Sequence, residues 1–148
     1  MTPNPRALPT HGVYLVSCVS QKKEGTTRAR DLYISDWFVK ARKNVELTGC
    51  FWFILSAKYG LTDPNSVIKS YDATLKTMGI RERRDWADRV FLQIRERFPR
   101  PSHFVFLAGA TYREFLARLL LDWGATIEIP LEGLRIGEQL RWLGRHGH

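Results

Sequence analysis

The sequence predicts an α/β fold: a single-domain three-layer sandwich around a central, mainly parallel sheet of about four strands. Three observations carry the prediction. Short apolar runs recur along the chain, nearly continuous in hydrophobic character where a half-exposed strand would alternate. Helix-length intervals with an apolar stripe separate them. The 148 residues suit one domain, and with 44% hydrophobic and 12% aromatic residues they can build a substantial core.

The first strand is expected in GVYLVSC, Gly12 to Cys18, the second in FWFILSA, Phe51 to Ala57, and the third in HFVFLAG, His103 to Gly109, after the breaker Pro99-Arg100-Pro101. TIEIP, Thr126 to Pro130, is a shorter fourth. Between Arg81 and Phe98, the residues Ala87, Val90, Phe91, Ile94 and Phe98 mark one helix face, and Tyr112, Phe115, Leu116, Leu119, Leu120 and Trp123 mark another. Thr111 and Glu114 read as a capping box for that second helix, and Gly124 as its C′ residue. Asp31 to Lys43 forms a looser stripe through Ile34, Phe38 and Ala41, and Arg135 to Leu143 a short terminal helix. Strands alternating with helices imply right-handed crossovers. Residues 1–11 read as a Pro-rich flexible lead-in, 12–144 as the domain and 145–148 as a frayed tail. Thr62 to Gly79 has the weakest periodicity, and a loop of that length inside a compact domain points to function.

Charge narrows the partners. Lys and Arg number 23 against 15 Asp and Glu, a net +8 spread over the folded body, which favours a polyanion, nucleic acid first. No run approaches the roughly 18 apolar residues that cross a bilayer, and MTPNPRALPTHG lacks a signal-peptide core. A soluble cytoplasmic protein without membrane association is expected, a monomer in the simplest case. Cys18 and Cys50 sit in no zinc or redox spacing, and the four histidines, two of them in GRHGH, make no cluster in sequence. Neither a metal nor another cofactor is expected. The glycine-rich, zinc-protease and serine-hydrolase signatures are absent, which takes most of the weight from the familiar NTPase, dehydrogenase, zinc-protease and serine-hydrolase readings.

Open parallel sheets bind ligands beyond the carboxyl ends of their strands. Those ends offer Ser17, Cys18 and Lys23 after the first strand, Ser56, Lys58, Tyr59 and Gly60 after the second, and Gly109 and Thr111 after the third, where a helix N-terminus can hold an anion. Small residues, lysines and tyrosines together suit a nucleobase in its sugar-phosphate context. Bland roles compete: Gly60 as a turn, Cys18 as a buried filler, Asp31 as a helix cap and the tyrosines as packing.

The segments VSC…KK, DLYISDWF, ILSAKYGL, IKSYDATL and PLEGLRIGEQLRWL, in this order from Val13 to Leu143, resemble a bacterial and phage family of unknown function that is similar to the YaaA peroxide-stress proteins. The resemblance implies DNA binding linked to oxidative damage and a core similar to uracil-DNA-glycosylase-like enzymes. It does not extend to the helix-hairpin-helix insertion, for which this chain has no counterpart. The motifs mark Ser17, Cys18, Lys23, Asp31, Tyr33, Ser56, Lys58, Tyr59, Gly60, Tyr71, Thr74 and Gly137.

The leading expectation is a DNA glycosylase-like enzyme that cleaves an N-glycosidic bond. Asp31, with Asp72 in reserve, is the candidate carboxylate facing the sugar cation, and Lys58 or Lys23 would hold a phosphate or the departing base. Tyr33, Tyr59 and Tyr71 would stack on an extruded or single-stranded base. The alternatives are a non-catalytic DNA- or nucleotide-binding stress protein and a nucleoside deoxyribosyltransferase-like enzyme.

Overall fold

In a computed structural model, which describes residues 8–17 and 21–146, the elements run in the order β1 (Val13–Val16), β2 (Thr26–Arg28), α1 (Ala29–Leu32), α2 (Asp36–Thr48), β3 (Phe51–Ser56), β4 (Gly60–Thr62), β5 (Val67–Lys69), a 3-10 turn (Leu75–Thr77), α3 (Ile80–Arg97), β6 (His103–Leu107), α4 (Ala110–Trp123), β7 (Thr126–Glu128) and α5 (Ile136–His146). One sheet has the order β4-β3-β1-β6-β7, and β2 pairs with β5 in a separate ribbon. The strands β3, β1, β6 and β7 run parallel, whereas β4 is antiparallel at the edge. The α/β class and the mainly parallel sheet agree with the sequence expectation, with five strands in place of about four. The fifth, β4, begins at Gly60, which the sequence offered as a ligand-facing position beyond the second strand.

Alternation of side chains across the sheet explains the unbroken apolar runs. Tyr14, Val16, Trp52, Ile54, Val105 and Leu107 face a layer that contains Phe38, Ala41 and Val45 of α2 and Trp142 and Leu143 of α5. Val13, Leu15, Phe53, Leu55, Phe104 and Phe106 face the other, built from Trp86, Val90 and Ile94 of α3 and Tyr112, Leu116 and Leu120 of α4. All four residues of β1 are buried, between β3 and β6 in matched register, Val13 opposite Phe51 and Phe104 and Val16 opposite Ile54 and Leu107. From β1 the chain crosses through α2 to β3 on one side, then through α3 to β6 on the other. Strand order therefore reverses between β1 and β6, the place where open parallel sheets form a crevice.

Three local expectations are corrected. The helix drawn from Asp31 to Lys43 is two pieces: α1 ends at Leu32, and α2 starts at Asp36 with Ser35 as its N-cap, the Ser35 hydroxyl accepting from the Phe38 amide at 3.2 Å. Ile34 consequently falls between helices and is exposed, not part of an inward stripe. The capping box at Thr111 is absent because the N-cap of α4 is Gly109, two residues earlier, with no side-chain cap, and Glu114 pairs with Arg83 at 3.2 Å. Gly124 does end α4 in the left-handed conformation, φ 102°.

The segment before β1 is fastened by a buried tyrosine. The Tyr14 hydroxyl donates to the Pro9 carbonyl at 2.5 Å, and Leu8 packs against the core. Burial, then the charges of Cys50 and Glu128, push the Tyr14 phenol far above its ordinary value. An unfolded tyrosine ionises near pH ~10 while the folded one keeps its proton, so this group favours the native state at lower pH and that contribution is lost as pH rises through the alkaline range. Tyr14→Phe is expected to cost about 1 kcal/mol at neutral pH through the lost hydrogen bond and to flatten the alkaline fall in stability. Denaturant melts of both proteins from neutral pH to about pH 11 check this, and parallel alkaline limbs would refute it.

Candidate functional site

A cavity of about 340 Å³ lies at the reversal point. Its floor is Ser17 at the end of β1 and Phe106, Leu107 and Ala108 at the end of β6. The Ser17 amide donates to the Leu107 carbonyl at 3.1 Å, so the two strands stay zipped up to the cavity. Gly109 to Arg113 of the α4 start form one wall, and Leu131 to Leu134 after β7 form another. Ser35 and Trp37 come from the start of α2, and Ile136 and Gln139 from the first turn of α5. Lys76 completes the lining.

Three helix N-termini thus converge on one cavity. Each presents backbone N–H groups that the first turn leaves without intrahelical partners, and their dipoles add positive potential at the same point. The α4 N-cap, Gly109, makes no side-chain capping bond. The polar lining is pre-set: Trp37 Nε1 donates to Gln139 Oε1 at 2.9 Å, and Gln139 Nε2 donates to the Leu134 carbonyl at 2.9 Å. Arg113 Nε donates to the Ala108 carbonyl at 3.2 Å, and its guanidinium lies 3.9 Å from Glu132. An anionic group at the helix starts and a flat apolar group against Trp37, Phe106 and Leu131 would both be accommodated.

Beside the ribbon stands an aromatic cluster. The Tyr33 and Tyr71 hydroxyls are 2.6 Å apart, and Tyr71 meets Tyr59 edge-on with centroids 5.6 Å apart. Lys22 Nζ lies 4.6 Å from the Tyr71 ring centre, and Lys58 Nζ lies 5.2 Å from that of Tyr59. The Tyr59 hydroxyl donates to the Lys69 carbonyl at 3.0 Å.

The sequence-predicted residues divide into four groups. Ser17, Gly109 and Thr111 line the cavity. Tyr33, Tyr59, Tyr71 and Lys58 gather in the aromatic cluster. Ser56, Gly60 and Thr74 hold turns. The Ser56 hydroxyl accepts from the Lys58 and Tyr59 amides at 3.2 and 2.9 Å, and the Thr74 hydroxyl accepts from the Lys76 amide at 3.3 Å, fixing the turn that carries Lys76 to the cavity. The rest stand apart from the lining. Asp31 is held by Arg42 at 3.0 Å, within a network that also joins Arg30 and Glu46. Lys23, Asp72 and Gly137 are exposed, and Gly137 has open space where a Cβ would stand. Cys18 lies outside the described residues. Sequence reasoning missed Ser35, Trp37, Lys76, Glu132 and Gln139. Two signals were available: Ser before an acidic first turn marks the N-cap of α2, and the segments DLYISDWF and PLEGLRIGEQLRWL contain Ser35, Trp37, Glu132 and Gln139.

The matched region of a family model spans residues 13–145, and the chain belongs to that family, a family of unknown function (DUF6884). Neither a curated protein nor a solved structure matches the chain. Among the described residues, no helix is long and apolar enough to cross a membrane.

Gly60 shows how tightly the turn beside the cluster is built. Its φ is +73°, and a Cβ there would meet Gln93 Oε1 at 2.2 Å. That same oxygen accepts from the Leu61 amide at 2.8 Å. Gly60→Ala is expected to destabilise the protein by about 2 kcal/mol, from left-handed strain and the displaced Gln93. Chemical denaturation measures the loss, and a change below about 0.5 kcal/mol, the ordinary surface range, would contradict it.

Proposed function

We propose that the protein is a nucleobase-processing enzyme acting on DNA, and that it cleaves an N-glycosidic bond of a damaged or modified nucleotide. The observation that carries this reading is the convergence of the α2, α4 and α5 N-termini with Lys76 on one cavity, whose remaining walls include Trp37, Phe106 and Leu131. A nucleotide matches both halves, its phosphate at the amides and Lys76, its base against the apolar wall. The net charge of +8 supplies attraction for a strand beyond that nucleotide. The tyrosine cluster offers stacking faces to neighbouring unpaired bases. The likeness to YaaA proteins and to uracil-DNA-glycosylase-like cores, carried by the sequence motifs, belongs to this reading.

For hydrolysis, the bond from C1′ to the base breaks with its electron pair leaving on the base, and a water oxygen bonds to C1′. The water proton passes to a carboxylate, which also faces the sugar cation as it forms. Glu132 is the carboxylate in the lining, so the role falls to it in preference to Asp31, which stands outside the lining and pairs with Arg42. The Ser17 or Thr111 hydroxyl donates to the departing base. One observation favours the second reading, a non-catalytic nucleotide-binding protein: the Glu132 side chain is 62% exposed, a poor setting for a general base.

Oligonucleotides carrying a panel of damaged bases, tested for abasic sites by alkaline cleavage, separate these readings. Base release is expected from at least one substrate, reduced about a hundred-fold in Glu132→Gln and unaffected in Asp31→Asn. Lys76→Ala is expected to weaken salt-sensitive oligonucleotide binding about ten-fold. Tight binding without release would favour the binding protein, and turnover of free nucleosides without oligonucleotide affinity would favour a deoxyribosyltransferase.

A further inference from the structure

The strand ends opposite the cavity hold a second group of chemistry-bearing side chains. His103 opens β6, its register partner Thr126 opens β7, and Glu128 lies two residues on. His11 reaches the same place from the segment before β1, its ring stacked on that of His103 with centroids 5.2 Å apart and planes 22° apart. Gly12 permits the approach: its φ is +103°, and a Cβ there would meet the His103 carbonyl oxygen at 2.9 Å and the His103 ring at 3.0 Å. The bond from Tyr14 to the Pro9 carbonyl holds the same segment two residues upstream.

Both nitrogens of His103 are engaged, Nδ1 at 2.6 Å from Thr126 Oγ1 and Nε2 at 2.7 Å from Glu128 Oε1. Two tautomers fit these contacts: Nε2–H donates to Glu128 while the Thr126 hydroxyl donates to Nδ1, or Nδ1–H donates to Thr126 and leaves the Nε2 lone pair for a metal ion shared with Glu128. One donor atom each from His11, His103 and Glu128 lie within 4.8 Å of one another.

We propose that His11, His103 and Glu128 form a divalent transition-metal site, with Thr126 fixing the His103 tautomer. Two imidazoles and one carboxylate suit Zn²⁺, Co²⁺ or Ni²⁺ and disfavour Mg²⁺ and Ca²⁺, which take oxygen ligands. The site stands about a strand length, roughly 15 Å, from the cavity. Its role is to clamp the segment before β1 onto the β6–β7 edge.

Calorimetric titration with ZnCl₂ and thermal melts test this on the full chain carrying His146→Ala and His148→Ala, which removes the other two imidazoles. One Zn²⁺ per chain and a raised Tm are expected, with no heat from MgCl₂. His103→Ala should abolish binding. His11→Ala, Glu128→Gln and Thr126→Val should each weaken it at least about ten-fold. His11 and Glu128 are exposed, so their variants keep the test decisive if His103→Ala fails to fold. Absence of Zn²⁺ binding would overturn the proposal, as would binding unchanged in His11→Ala and Glu128→Gln. The Nε2–H of His103 would then donate to the Glu128 carboxylate.

Discussion

Parallel pairing of β1 on both edges is the constraint on which the rest of the molecule depends. Val13 to Val16 bond to β3 on one side and β6 on the other, and they send alternate side chains into both helical layers. No position in the strand is free to be polar, because every side chain meets a core. Burying such side chains is worth roughly 1.5–3 kcal/mol apiece, enough to set the register of the whole sheet. Once β1 is central, the next crossovers must go to opposite sides, and the crevice between β1 and β6 arises from topology alone.

Chemistry gathers at that crevice because helices in parallel α/β units start where strands end. α4 comes directly after β6, α5 comes after the turn beyond β7, and α2 returns from the α1 segment with Ser35 at its head. Their positive ends meet without any charged side chain being needed to make the site electropositive. Lys76 adds the formal charge from a turn held by Thr74. The ribbon of β2 and β5 frames the cluster of tyrosines, where Lys69 on β5 offers its carbonyl to Tyr59.

The same physics decides how much was legible in the sequence. The central strands and the helices α3 and α4 were readable because burial on two faces, or on one stripe, imposes long unambiguous patterns. β2, β4 and β5 have three residues each, too few for any period to show. At the site, Ser17, Gly109 and Thr111 stand immediately beyond the carboxyl ends of parallel strands, a position that topology makes a ligand's. Ser56 and Gly60 occupy the equivalent place after β3, yet they serve the turn, since a strand exit and a site wall look alike in sequence. Lys76, Trp37, Glu132 and Gln139 reach the cavity from separate elements, which no local pattern encodes. The pairing of His11 with His103 escaped for the same reason: it depends on the Gly12 crossing and not on spacing.

We propose that a nucleotide unit sits where the three helix starts converge. Amide chemical shifts followed by NMR, as a short single-stranded oligonucleotide is added, measure it most directly. The largest changes are predicted at Ser17, Trp37, the amides of Ala110 to Arg113 and Gln139, with smaller ones at Tyr59 and Tyr71. Changes confined to the exposed arginines of α3, with the cavity amides unmoved, would contradict the account.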